Sequence, residues 1–70
     1  MQREPVVSSS LRSVGYDPDR QVLEIEFQNG SVYQYSGVQE LVYVNLMHAS
    51  SKGQYFDANI RDVYQYSRVL

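Results

Sequence analysis

Between Val22 and Phe27 the chain alternates strictly, with Leu23, Ile25 and Phe27 on one side and Glu24 and Glu26 on the other. Side chains of an extended strand change face at every residue, so this segment predicts a strand with one buried face. Leu11–Tyr16, entered from Ser8, Ser9 and Ser10, predicts a strand before it. Asp17-Pro18-Asp19-Arg20 lies between the two. There proline fixes φ at the second turn position while aspartate caps the first. Asn29-Gly30 then closes a hairpin onto a third strand, Val32–Ser36.

Two registers are open to this hairpin, and they differ in which face receives Tyr33 and Tyr35. A two-residue loop pairs Phe27 with Val32 and puts both tyrosines on the glutamate face. A three-residue loop with Gly30 as a bulge pairs Phe27 with Ser31 and Ile25 with Tyr33, so the rings join Leu23, Ile25 and Phe27. A slip of one residue exchanges the faces completely. The bulged loop is preferred, because a small core gains from burying aromatic area.

After Ser36 the apolar period lengthens. Val38, Leu41, Val42, Leu46 and Ala49 predict a helix over Val38–Ala49, with Ser36 and Gln39 spaced as a capping box. Ser51-Lys52-Gly53-Gln54 repeats the capping arrangement and predicts a shorter helix ending near Ile60. Phe56, Ile60 and Val63 would form its buried face. Residues 1–7 contain a proline and no pattern, which predicts a disordered tail before a single domain over residues 8–70. The expected fold class is α+β. A three-stranded antiparallel meander is packed by one main helix, followed by a short helix and a C-terminal extended segment able to add a fourth strand.

Seventy residues, 43% of them hydrophobic, suffice for one thin core. A chain this small buries only about 60% of the surface exposed when unfolded. With no cysteine, neither disulfides nor thiolate metal sites supplement that core, which fits a reducing compartment. No apolar run approaches the roughly 20 residues that span a bilayer, and no signal peptide opens the chain, so a cytoplasmic protein without membrane contact is expected. The net charge of −2 argues against a general nucleic-acid binder. Acid gathers at Asp17, Asp19, Glu24, Glu26 and Glu40. Any cationic surface must come from Lys52, Arg61 and Arg68, with Arg12 as an addition.

The pentapeptide Val-Tyr-Gln-Tyr-Ser occurs at Val32–Ser36 and again at Val63–Ser67, and its copies hold four of the seven tyrosines. On an extended strand both rings of a copy share one face. Such a face can fill a core, the commoner use, or stack a partner's rings. Other candidates carry less. His48 has no second histidine or cysteine to work with. Ser8, Ser9 and Ser10 have no readable base, and Ser51-Lys52-Gly53 resembles an anion-binding turn but is explained by helix capping. Glu24 and Glu26, about 7 Å apart along a strand, are explained as solvent-facing residues. No catalytic set, cofactor site or metal site is predicted.

The order of these segments resembles the KTSC domain, a family of about this length that occurs alone in bacterial proteins and at the C-terminus of some lysyl-tRNA synthetases. Ser9-Ser10, Val14-Gly15-Tyr16-Asp17, Leu23-Glu24-Ile25-Glu26-Phe27 and Gly30 carry the first part of the resemblance. Tyr33-Gln34-Tyr35 looks like the family's central Tyr-x-Tyr signature. Val38, Val42-Tyr43, Leu46, Ala49, Ser51, Lys52-Gly53 and Tyr55-Phe56 follow, then Ile60-Arg61, Tyr64, Tyr66 and Arg68. Gln39 departs from a proline common in relatives, and Asp57 from an asparagine. The resemblance implies RNA as a partner, by association with tRNA synthetases. A small non-catalytic binding module is therefore expected, contacting single-stranded RNA through Tyr33, Tyr35, Tyr64 and Tyr66 with Lys52, Arg61 and Arg68. The alternative is a protein-interaction or self-association module that uses a sheet edge or the tyrosine face.

Overall fold

In the computed structural model, which describes residues 1–70, five strands form one antiparallel sheet in sequence order. They are β1 (Arg3–Pro5), β2 (Leu11–Asp17), β3 (Val22–Phe27), β4 (Val32–Ser36) and β5 (Tyr66–Arg68). Two helices, α1 (Glu40–His48) and α2 (Lys52–Asn59), intervene between β4 and β5. Leu11, Val14, Leu23, Ile25 and Tyr35 from the sheet form the core with Val38, Leu46, Phe56 and Ile60 from the helical segment. The α+β class and the central meander are as expected, but the sheet is wider. Tyr66–Arg68 does add a strand, beside β4, and β1 adds a fifth beside β2.

β1 corrects the expectation of a disordered tail over residues 1–7. Its backbone pairs Arg3 with Gly15, Glu4 with Val14 and Pro5 with Ser13. Gly15 permits this approach, since a Cβ there would stand 2.7 Å from the Gln2 carbonyl oxygen. The Arg3 guanidinium then reaches across to Ser13 Oγ, at 3.0 Å, and to the Glu24 carboxylate. Backbone pairing and one ion pair leave no hydrophobic period in the tail's own sequence.

The β3–β4 hairpin takes the bulged register. Gly30 has φ of 91°, the Phe27 amide donates to the Ser31 carbonyl at 2.9 Å, and Ile25 and Leu23 stand opposite Tyr33 and Tyr35. A left-handed φ at the bulge position suits glycine.

The first helix starts later than expected. Gly37 turns the chain with φ of 73°, and Gln39 caps α1 in extended conformation without a side-chain bond, so the Ser36–Gln39 capping box does not form. Val38 is instead buried as an anchor: its amide donates to the Gln21 carbonyl and its carbonyl accepts the Tyr16 hydroxyl at 2.5 Å. Tyr16 also stacks on Tyr43 of α1, with centroids 5.0 Å apart. Burial pushes both phenol pKa values above their ordinary range, with nearby carboxylates adding to the effect. This anchoring rotates Leu41, an expected core residue, into solvent. The second helix begins as expected, with Ser51 Oγ accepting from the Gln54 amide. Phe56 and Ile60 are buried, whereas Val63 lies in the turn after the helix and is exposed.

The other sheet face is polar and tightly joined. Glu24, expected in solvent, is buried beneath Arg3 and also accepts from Gln34 Nε2 at 2.8 Å. Burial alone would raise its pKa. The hydrogen bonds from Gln34 and Arg3 and the Arg3 charge outweigh that, leaving the carboxyl below its ordinary value. Ser13 Oγ extends the network by donating to Glu26 at 2.7 Å. No helix is long and apolar enough to cross a membrane.

Candidate functional site

The bulged register places Tyr33 and Tyr35 on the helix-covered face, and β5 adds Tyr66 directly opposite Tyr35. The helices do not cover this face evenly. Tyr35 is buried against Phe56 of α2, with ring centroids 5.4 Å apart, while Tyr33 is half-buried and Tyr66 exposed. Phe27 completes an aromatic cluster, edge-on to both Tyr33 (5.6 Å) and Phe56 (5.4 Å). Tyr33 and Tyr66 are 5.6 Å apart and tilted by 49°. Edge-to-face and offset pairs at such distances are the preferred aromatic geometries.

A cleft of about 500 Å³ opens over this cluster. Aromatic walls come from Phe27, Tyr33, Tyr35 and Tyr66, and polar groups come from the hairpin turn and from Arg61-Asp62 after α2. Arg61 lies with its Cζ 5.5 Å from the Phe56 ring centroid, and its Nη2 pairs with Asp57 at 3.1 Å, one helical turn earlier. Asp57 thus holds a partner for the cleft's guanidinium.

Tyr35 forms the floor. Burial pushes its pKa up to about 12, against a smaller opposing effect of the Arg61 charge, so it is a neutral hydroxyl at physiological pH.

Of the seven expected site residues, Tyr33, Tyr35, Arg61 and Tyr66 meet in the cleft. The others stand apart from its lining. Arg68 is opposite Tyr33 across β4–β5, and its Nε donates to the Leu70 oxygen at 3.1 Å. Lys52 Nζ donates to the Ala49 carbonyl at 3.1 Å, closing the α1–α2 connection. Tyr64 falls in the bend before β5 and packs on the core, so the second pentapeptide is not extended throughout and does not present two rings on one face. Sequence reasoning missed Phe27, Asn29, Ser31 and Asp62 as cleft residues. The bulged register was the available signal for Phe27, because it puts that ring beside Tyr33.

A single antiparallel sheet with two short helices on one face, and an aromatic cleft where their cover ends, defines a small α+β domain. The KTSC domain family model matches residues 7–64, and the chain belongs to that family. It is similar to the crystal structure of a KTSC domain protein from Yersinia pestis, with 46% identity and a TM-score of 0.94 over 99% of this chain and 97% of that one. An uncharacterized protein of Stutzerimonas stutzeri (strain A1501) is 43% identical over 70 residues, 99% of each chain. A lysine–tRNA ligase of Nostoc sp. (strain PCC 7120) is 38% identical over 61 residues, which are 87% of this chain and 11% of the ligase.

Proposed function

We propose that the domain is a non-catalytic, intracellular binding module that engages single-stranded RNA through the cleft of Tyr33, Tyr35, Tyr66 and Arg61. The observation that carries this reading is the uneven helix cover, which leaves the Tyr33 and Tyr66 rings accessible beside a guanidinium. Stacking of a base on an aromatic ring contributes about 1–3 kcal/mol and tolerates any sequence. The similarity to a segment of lysine–tRNA ligases supports RNA as the partner class. Cations are few, so binding is weak and its salt dependence shallow, about 0.7 in log–log slope per phosphate contacted on a single strand. Labelled oligonucleotides titrated at low and high salt test this. Absence of any shift in the Tyr33, Tyr35, Tyr66 or Arg61 signals at millimolar ligand overturns it.

A second reading is favoured by one specific observation. β5 is the outer edge of the sheet, and Tyr66, Val69 and Leu70 are exposed along it and just beyond. An unpaired edge with apolar side chains can accept an added strand from another chain. Concentration-dependent sedimentation that persists at high salt would establish this mode.

A further inference from the structure

The cleft is equipped for a neutral ring rather than for an anion. Arg61 is the only cation on its lining, and it is already paired with Asp57 and laid on Phe56. Asp62 stands next to it on the same lining. Asp57 and Asp62 together offset Arg61 and Arg68, the residue opposite Tyr33, so the mouth offers no net positive charge to draw a phosphate in.

Two uncommitted hydrogen-bonding groups also line the cleft, Tyr35 at its floor and Asn29 at its exposed edge. Tyr35 as a whole residue is 4% exposed, and its hydroxyl makes no hydrogen bond within the protein. Yet no polar side-chain atom is both sealed from solvent and unpaired, so this hydroxyl must open into the cleft it lines. Asn29 contributes from the hairpin turn. Its Oδ1 accepts from the Ser31 amide at 3.0 Å and from Ser31 Oγ at 2.7 Å, which fixes the side chain and leaves its amide nitrogen free to donate. A hydroxyl that loses its access to water when a ligand fills the cleft favours a ligand that can bond to it over one that cannot.

We infer that the cleft accommodates one uncharged nucleobase, as a nucleoside unit. The base stacks on Tyr33 with Tyr66 against its rim, its edge bonds to the Tyr35 hydroxyl, and an attached phosphate gains nothing from a mouth in which Asp62 adds a carboxylate beside the already paired Arg61. A volume of about 500 Å³ lies within the usual range of small-ligand pockets. This rests on the RNA reading and deepens it: the base enters, while the backbone stays at the rim on the side of Arg68.

The test compares uridine, cytidine and adenosine with their 5′-monophosphates and with a short single-stranded oligonucleotide, by NMR titration of the full chain. A nucleoside is expected to shift the Tyr33, Tyr35 and Tyr66 ring signals, and its monophosphate to bind no more tightly. Asp62→Asn, which removes the carboxylate from the lining, should tighten the monophosphate relative to the nucleoside. Tyr35→Phe, which keeps the ring, should weaken nucleoside binding about five- to tenfold, the effect of one hydrogen bond, with the dispersed spectrum retained. A monophosphate that binds tighter than its nucleoside, or unchanged affinity in Tyr35→Phe, overturns the inference. Oligonucleotide binding without nucleoside binding also overturns it but leaves the RNA reading standing. Nucleoside binding without oligonucleotide binding supports the cleft assignment and removes RNA as the partner. Binding of neither overturns both.

Discussion

In the first Val-Tyr-Gln-Tyr-Ser segment Val32 is 1% exposed and Tyr35 4%, whereas in the second Val63 is 63% exposed and Tyr66 59%. The first copy is β4 throughout, hydrogen-bonded to β3 on one side and β5 on the other. The second begins in the turn after α2 and becomes a strand only at Tyr66, bonded along one edge. The copies also pair with each other: Tyr35 stands opposite Tyr66, Gln34 opposite Ser67, and the Ser36 amide donates to the Gln65 carbonyl. Two tyrosines from identical pentapeptides thus lie 5.7 Å apart, one a floor and the other a wall. Identical local sequence gives no guarantee of identical burial. What covers a side chain comes from elsewhere in the chain.

The sharpest way to break this contrast is to truncate the paired rings. Tyr35→Ala should cost about 3–5 kcal/mol, the usual effect of emptying a buried aromatic site, while Tyr66→Ala should stay within about 1 kcal/mol. Denaturant midpoints read both, and equal losses would show the copies to be energetically alike.

Alkaline titration sharpens the same contrast. Tyr35 has a folded pKa of about 12 against an ordinary value of 10.0. Its contribution is therefore complete below pH 10 and is lost as pH rises through 12. The loss is at most about 2–3 kcal/mol. Tyr35→Phe should remove this part of the alkaline loss and Tyr66→Phe should leave it, as read by denaturant unfolding at stepped pH.

The valines come next. Val32→Ala should destabilise by about 2 kcal/mol, for two buried methyl groups and the space they leave. Val63→Ala should fall within about 0.5 kcal/mol. Thermal midpoints suffice to tell them apart.

The glutamines should differ least. Gln34→Ala removes a hydrogen bond to the Glu24 carboxylate and should cost about 1 kcal/mol, whereas exposed Gln65→Ala should be silent. Glu24 has a folded pKa below its ordinary value, so its contribution is present above that value and lost as pH falls through the folded pKa. Losing Gln34 raises that folded pKa and shrinks the acid-dependent loss. A carboxyl titration followed by NMR checks the direction.

Much of the fold was legible because it is encoded locally. The alternation at Leu23-Glu24-Ile25-Glu26-Phe27, the Asn29-Gly30 turn and the Ser51 cap each express a backbone preference within a few residues. β1 was not legible, because what holds it is Gly15 and Glu24, both distant in sequence. The exposure of Leu41 follows from the Tyr16–Val38 bond and the late start of α1, which the apolar stripe alone did not contain. At the site, residue types pointed to Tyr33, Tyr35, Tyr66 and Arg61. The separation of Tyr64 and Lys52 from them depended on where the second helix ends and where the chain bends.

The sequence by itself determined which side chains share a strand face and where the chain turns, since period and turn chemistry act over a few residues. Only the tertiary structure decided which of those faces is covered. The second helix shields Tyr35 through Phe56 and leaves Tyr33 half-buried and Tyr66 exposed, because burial is set by the reach of packed elements and not by the side chain that becomes buried.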